Sequence, residues 1–136
     1  MKTKSEQNAA GERVVLYGAG GRCQLFLKER GFNNSGSFDG RVIVGLIDDE
    51  PSLHSQWVYG IRVLGGLKNL PQLISKHAIT GIVITAALRP ESRAEVERLA
   101  FQYSMRLSEW RFEDKRLDTH AAESVRIFDP VYASND

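Results

Sequence analysis

Val14-Val15-Leu16-Tyr17-Gly18-Ala19-Gly20-Gly21-Arg22-Cys23 is the stretch on which the fold turns. An apolar, β-rich run from Arg13 to Tyr17 enters a glycine turn, and a stretch of helical character, Gln24 to Arg30, follows at once. In that order the backbone at Gly18 and Gly20 can approach a ligand closely, and the free N–H groups of a helix start point at it. Those N–H groups and the helix dipole both favour an anion, above all a nucleotide phosphate. The third glycine of the fingerprint G-x-G-x-x-G is absent, because Cys23 stands in its place. Two readings follow: a phosphate cradle made by Gly18, Ala19, Gly20, Gly21 and Arg22, or a tight strand-to-helix turn that holds nothing. Cys23 reads as a small apolar residue packing the helix on a sheet, not as a nucleophile.

Outward from this turn, strands and helices alternate. Arg41 to Ile47 is near-continuously apolar, as a strand buried on both faces should be. Pro51 to Gln56 suits a turn or short helix. Ile61 to Leu64 is a short strand closed by Gly65-Gly66, and Leu70-Pro71 opens an amphipathic helix running to His77. Gly81 to Thr85 is the next buried strand. Pro90 to Met105 is a helix, with Val96, Leu99, Ala100 and Tyr103 on one side. Leu107 to Phe112 alternates as a fifth strand. Gly31 reads as a helix stop and Asn33 to Ser37 as a loop. From Glu113 the chain turns polar and irregular, with Val125 to Phe128 as a last apolar patch. The expected architecture is α/β and doubly wound, a mostly parallel sheet of about five strands with helices on both faces. The expected division is a flexible segment over 1–12, the domain over 13–112 and a polar extension over 113–136.

Such sheets bind ligands outside the carboxyl ends of their strands. Three loops converge there: Gly18 to Arg22, Asp48 to Pro51, and Thr85 to Arg89. Asp48, with Asp49 beside it, stands where an acid commonly accepts a hydrogen bond from a ribose hydroxyl, although farther along than the usual ~20 residues. Asp-Asp-Glu-Pro is equally good turn chemistry. An acid there favours NAD over NADP and leaves a nucleotide-sugar open. Thr85 and Ala86 are small enough to let a ligand close in, and Arg89 and Arg93 are candidates to reach a pyrophosphate. Trp57 and Tyr59 suit stacking on a base, or a core or interface role. His54, His77 and His120 lack metal-ligand spacing. No serine elbow is present, and Tyr103 has Leu107, not lysine, four residues on.

A net charge of +1 offers no electrostatic footprint for nucleic acid. A lone cysteine excludes an internal disulfide and fits a reducing compartment. No apolar run approaches the roughly 18 residues of a membrane helix, so a cytoplasmic chain is expected.

The set Tyr17-Gly18-Ala19-Gly20, Gly45-Leu46-Ile47-Asp48-Asp49-Glu50-Pro51, Gly60-Ile61-Arg62-Val63-Leu64-Gly65 and the Leu70-Pro71 helix resembles one family. It is similar to the Rossmann-like, CoA-binding-type nucleotide-binding domain of bacterial polysaccharide biosynthesis proteins. Those include membrane-bound nucleotide-sugar dehydratases, polyprenyl-phosphate sugar-phosphate transferases, and soluble tails of membrane sugar-phosphate transferases. The resemblance spans about Arg13 to Phe112 and departs from the family at Cys23, where a glycine is usual. It implies a cytoplasmic module that binds NAD, NADP, a nucleotide-sugar or CoA beside a membrane-embedded partner domain, as a piece of a longer protein or a stand-alone relative. The alternative reading is a structural, dimerising unit whose glycine turn holds nothing, with Trp57, Val58 and Tyr59 at the interface of a homodimer.

Overall fold

The computed structural model describes residues 11–29, 37–38, 40–113 and 115–120. The polar start up to residue 10, the Gly31 stop, the loop over 33–36 and the patch over 125–128 lie outside the described residues.

Eight strands form one sheet: β1 (Arg13–Tyr17), β2 (Ser37–Phe38), β3 (Arg41–Ile47), β4 (Trp57–Val58), β5 (Ile61–Gly65), β6 (Gly81–Ile84), β7 (Arg106–Arg111) and β8 (Arg116–His120). Three α-helices cover it, α1 (Gly21–Glu29), α2 (Leu70–His77) and α3 (Pro90–Gln102). Short 3-10 turns lie at Pro51–Leu53 and Leu67–Asn69. The spatial order is β4-β5-β3-β1-β6-β7-β8, with β2 on β3. Strands β5, β3, β1, β6 and β7 run parallel, and β2, β4 and β8 pair antiparallel with their neighbours. After β1 the chain moves outward through β3 to β5, then returns to the other side of β1 with β6. The direction of winding therefore reverses between β1 and β6, where doubly wound sheets open a crevice.

Alternation along β1 builds the two cores. Val14 and Leu16 meet Cys23, Phe26 and Leu27 of α1 on one face. Val15 and Tyr17 join Leu70 of α2 and Val96, Leu99 and Ala100 of α3 on the other. Phe26 and Leu27 are fully buried, each contributing about 2 kcal/mol of apolar transfer that pins α1 to the sheet. The doubly wound sheet and its five parallel strands agree with the sequence expectation.

Two stretches differ from it. Arg116–His120, read as part of a polar irregular tail, is a strand, because its backbone extends the edge of β7 residue by residue from Arg111↔Arg116 to Leu107↔His120. Glu12, read with the polar start, is buried. Its carboxylate accepts from the Arg41 guanidinium and the Arg106 guanidinium, at 3.1 Å each, and so clamps the amino ends of β3 and β7 beside β1. The link from β3 to β5 contains no α-helix. It folds instead as the 3-10 turn and a hairpin of β4 on β5, whose residues Leu53 and Val58 cover the α1-side core.

Candidate functional site

The carboxyl ends of β1, β3 and β6 meet around Gly18. Its N–H donates to the Ile47 carbonyl at 2.8 Å, carrying the β1–β3 ladder one residue beyond the strand. Gly18 has φ +117, and a Cβ there would stand 2.5 Å from the Ala86 Cβ. Glycine at this position is thus demanded twice, by backbone and by packing. Thr85, 1% exposed, donates its hydroxyl to the Gly18 carbonyl at 2.9 Å. Thr85 and Ala86 therefore shape the turn from beneath.

Gly20 and Gly21 are different. Neither has a positive φ, and a Cβ on either would meet nothing within 4 Å. Nothing inside the protein requires a glycine at either place, and the space above them is open. Gly21 begins α1, whose first turn carries no acidic side chain of its own. The first N–H groups of a helix have no intrahelical partner.

Asp48 joins this turn. One carboxylate oxygen accepts from the Ala19 N–H at 2.8 Å, and the other accepts from the Glu50 N–H at 2.9 Å. The two readings of Asp48 are both visible in this arrangement: it caps its own turn, and it stands against the glycine turn. A carboxylate oxygen has a second lone pair, so those bonds leave acceptor capacity for a ribose hydroxyl. Asp49 has another role in the fold. Its carboxylate accepts from the Tyr17 hydroxyl at 2.5 Å and from the Leu67 N–H at 2.8 Å, tying the loop after β3 to β1 and to the start of the 3-10 turn before α2. Burial and the Asp49 carboxylate hold the Tyr17 phenol above its ordinary range, so it stays protonated at neutral pH and serves as a donor, not a base. Burial likewise pushes the Cys23 thiol up to about 12, which leaves it an inert packing group on the sheet side of α1.

The cations are distributed unevenly. Arg22 leans across the face of Phe112, its guanidinium 4.7 Å from the ring centroid, so it is held at the rim on the β7 side of the turn. Arg89 is exposed at the start of α3, and its side chain makes no hydrogen bond or ion pair among the described residues. Arg93 is taken by a two-pronged bond to Glu109, at 3.0 and 2.7 Å. The geometry thus gathers Gly18, Ala19, Gly20, Gly21, Asp48, Thr85 and Ala86 around one turn, with Asp49 bracing it and Arg22 at its rim. Arg89 stands at the margin. Sequence reasoning missed Tyr17 and Phe112. Tyr17 carried a signal, a hydroxyl at the end of an otherwise apolar strand, whereas the Phe112–Arg22 contact joins residues far apart in the chain.

Among the described residues no group of three or more His, Cys, Asp or Glu side chains is placed to hold a metal, and no helix is long and apolar enough to cross a membrane. No protein-family model matches the chain, and no curated protein matches it by sequence. Solved structures do match by fold. A UDP-D-quinovosamine 4-dehydrogenase from Vibrio fischeri superimposes with a TM-score of 0.64 at 20% identity, over 85% of this chain and 98% of that one. RSP, a Rex-family repressor, does so with a TM-score of 0.60 at 15% identity, over 93% of this chain and 60% of that one. RSP in complex with beta-NADH gives a TM-score of 0.59. The chain therefore has the Rossmann-type fold seen in these proteins, and it spans about three fifths of the repressor's length.

Proposed function

We propose that this chain is a nucleotide-binding module, with NAD as its first candidate ligand and NADP, a nucleotide-sugar or CoA as the others. One observation carries the reading: nothing among the described residues requires glycine at Gly20 or Gly21, and they stand at a helix start whose first turn carries no acidic side chain, with open space above them. Phosphates sit at the Gly20–Arg22 amides, Asp48 accepts from a ribose hydroxyl, and Arg22, steadied by Phe112, screens the charge. Asp48 beside Asp49 and Glu50 repels a 2′-phosphate, which ranks NAD above NADP. Tyr17 is held as a donor and Thr85 is bonded to backbone, so neither hydroxyl is poised to take up a proton. The module is non-catalytic by itself and serves a cytoplasmic step of surface-polysaccharide or lipid-linked glycan synthesis, next to a membrane-embedded partner domain. Calorimetry and thermal shift with NAD, NADP, a UDP-sugar and CoA test it. Saturable binding to the parent chain that Gly20→Asp abolishes is the expected result, and no response at millimolar ligand rejects the reading.

A second reading is an NAD-dependent nucleotide-sugar 4-dehydrogenase or dehydratase. Its support is the length match, since the chain spans 98% of the dehydrogenase structure it resembles. It requires a change at the nicotinamide absorbance when a UDP-sugar and NAD are supplied together. Silence while both bind eliminates it.

A further inference from the structure

The missing helix between β3 and β5 leaves a feature that the glycine turn does not use. Where that helix would lie, a groove of about 220 Å³ runs between α1 and the β4 hairpin, lined by Gln24, Trp57, Val58 and Tyr59. Trp57 is 66% exposed and Tyr59 57% exposed, the two most exposed aromatic side chains among the described residues. Among the described residues neither ring packs against another aromatic group, and the polar tips of Gln24, Trp57 and Tyr59 have no hydrogen-bond partner.

Tyr59 is also costly where it stands. Val58 pairs with Ile61, so Tyr59 and Gly60 form a two-residue hairpin turn with φ of 51 and 78. Positive φ at both places is the I′ geometry that asparagine followed by glycine adopts most readily. A bulky ring at its first position is strained, and a strained residue that persists invites a functional explanation. Here the strain keeps an aromatic ring at the mouth of a groove that already holds a second one.

We propose that this groove binds a hexopyranose ring. A pyranose has one face of C–H groups that stacks on an aromatic ring and a rim of hydroxyls that stay in water. It therefore needs cover on one side only, which is what an open groove with Trp57 and Tyr59 on its wall supplies. The Gln24 amide offers both a donor and an acceptor to a pair of adjacent hydroxyls. The volume suits one ring and no more. An apolar side chain of a partner would gain from enclosure on all sides, and a nucleobase from a sandwich of two rings. The site is independent of nucleotide binding at the glycine turn, and its test does not depend on that reading.

Isotope-labelled full-length chain gives two indole N–H resonances, one from exposed Trp57 and one from Trp110, which is 4% exposed. Titration with methyl glucopyranoside, methyl galactopyranoside and N-acetylglucosamine should move the Trp57 resonance saturably in the millimolar range and leave Trp110 in place. Trp57→Ala should abolish binding as read on the Tyr59–Gly60 backbone amides. Tyr59→Asn should weaken it roughly three- to tenfold, while raising the melting temperature because the turn relaxes. That pair of opposite effects separates a binding role from a structural one. The proposal is overturned if no pyranoside shifts Trp57, if uridine or adenosine does so in their place, if the resonance moves with protein concentration alone, or if Tyr59→Asn binds as the parent does.

Discussion

The two ends of β1 are built on opposite principles. At its amino end, Glu12 is buried and both its carboxylate oxygens are bonded to arginines, leaving nothing unsatisfied. At its carboxyl end, Gly20 and Gly21 meet open space at a helix start whose first turn carries no acidic side chain. Saturated partners mark the end that holds the sheet together, and open space marks the end proposed to face a ligand. Gly18 belongs with the first group although it lies in the second: its glycine is explained by Ala86 and by its own φ. Two glycines in one turn therefore have different reasons to exist.

The contrast can be broken by substitution, and the largest effect belongs to the saturated end. Glu12→Ala should cost about 3 kcal/mol, because it removes a buried carboxylate bonded to two arginines. Denaturant unfolding measures this, and a loss below 1 kcal/mol would mean that the clamp contributes little. Gly18→Ala should cost about 2 kcal/mol through its clash with Ala86 and its left-handed backbone. Ala86→Gly should recover part of that loss, and an absence of coupling in the double mutant would remove the packing half of the argument. Next comes pH. The Cys23 thiol and the Tyr17 phenol are both held above their ordinary values in the folded chain. The unfolded chain therefore releases these protons first as pH rises, so stability is full below about pH 9 and declines above it, by at most ~1.4 kcal/mol per pH unit for each group. Cys23→Ala should flatten the onset of that decline, and an unchanged alkaline slope would contradict the burial argument. The smallest effect on stability belongs to Gly20→Asp. An acid just before a helix start is neutral or stabilising by a few tenths of a kcal/mol, yet the same charge should abolish nucleotide binding. If Gly20→Asp unfolds the chain, the turn was structural and the contrast fails.

Much of this frame was legible from residues alone. Strands β1, β3 and β6 are largely buried runs of β-branched and aliphatic residues, and the glycine turn is a local signal within ten residues. What escaped detection depends on distance. Arg116–His120 has a polar composition and becomes a strand only because β7 presents an edge to it. Glu12 looked solvated because its partners, Arg41 and Arg106, stand 29 and 94 residues away. The bracing of the turn by Tyr17 and Asp49 crosses 32 residues. Turn chemistry around Asp48 was readable, but only the fold shows the same carboxylate reaching Ala19.

The central place of β1 also has a consequence in time. It leaves the ribosome first among the strands, but its β6-side neighbour begins near Thr80, which bonds to Arg13 across 67 residues. At the usual rate of synthesis that interval is roughly 3–13 s. During it this apolar strand pairs at best on one side, with an open edge next to the glycine turn. Slow folding and a demand for chaperone protection should follow from the position of this strand alone.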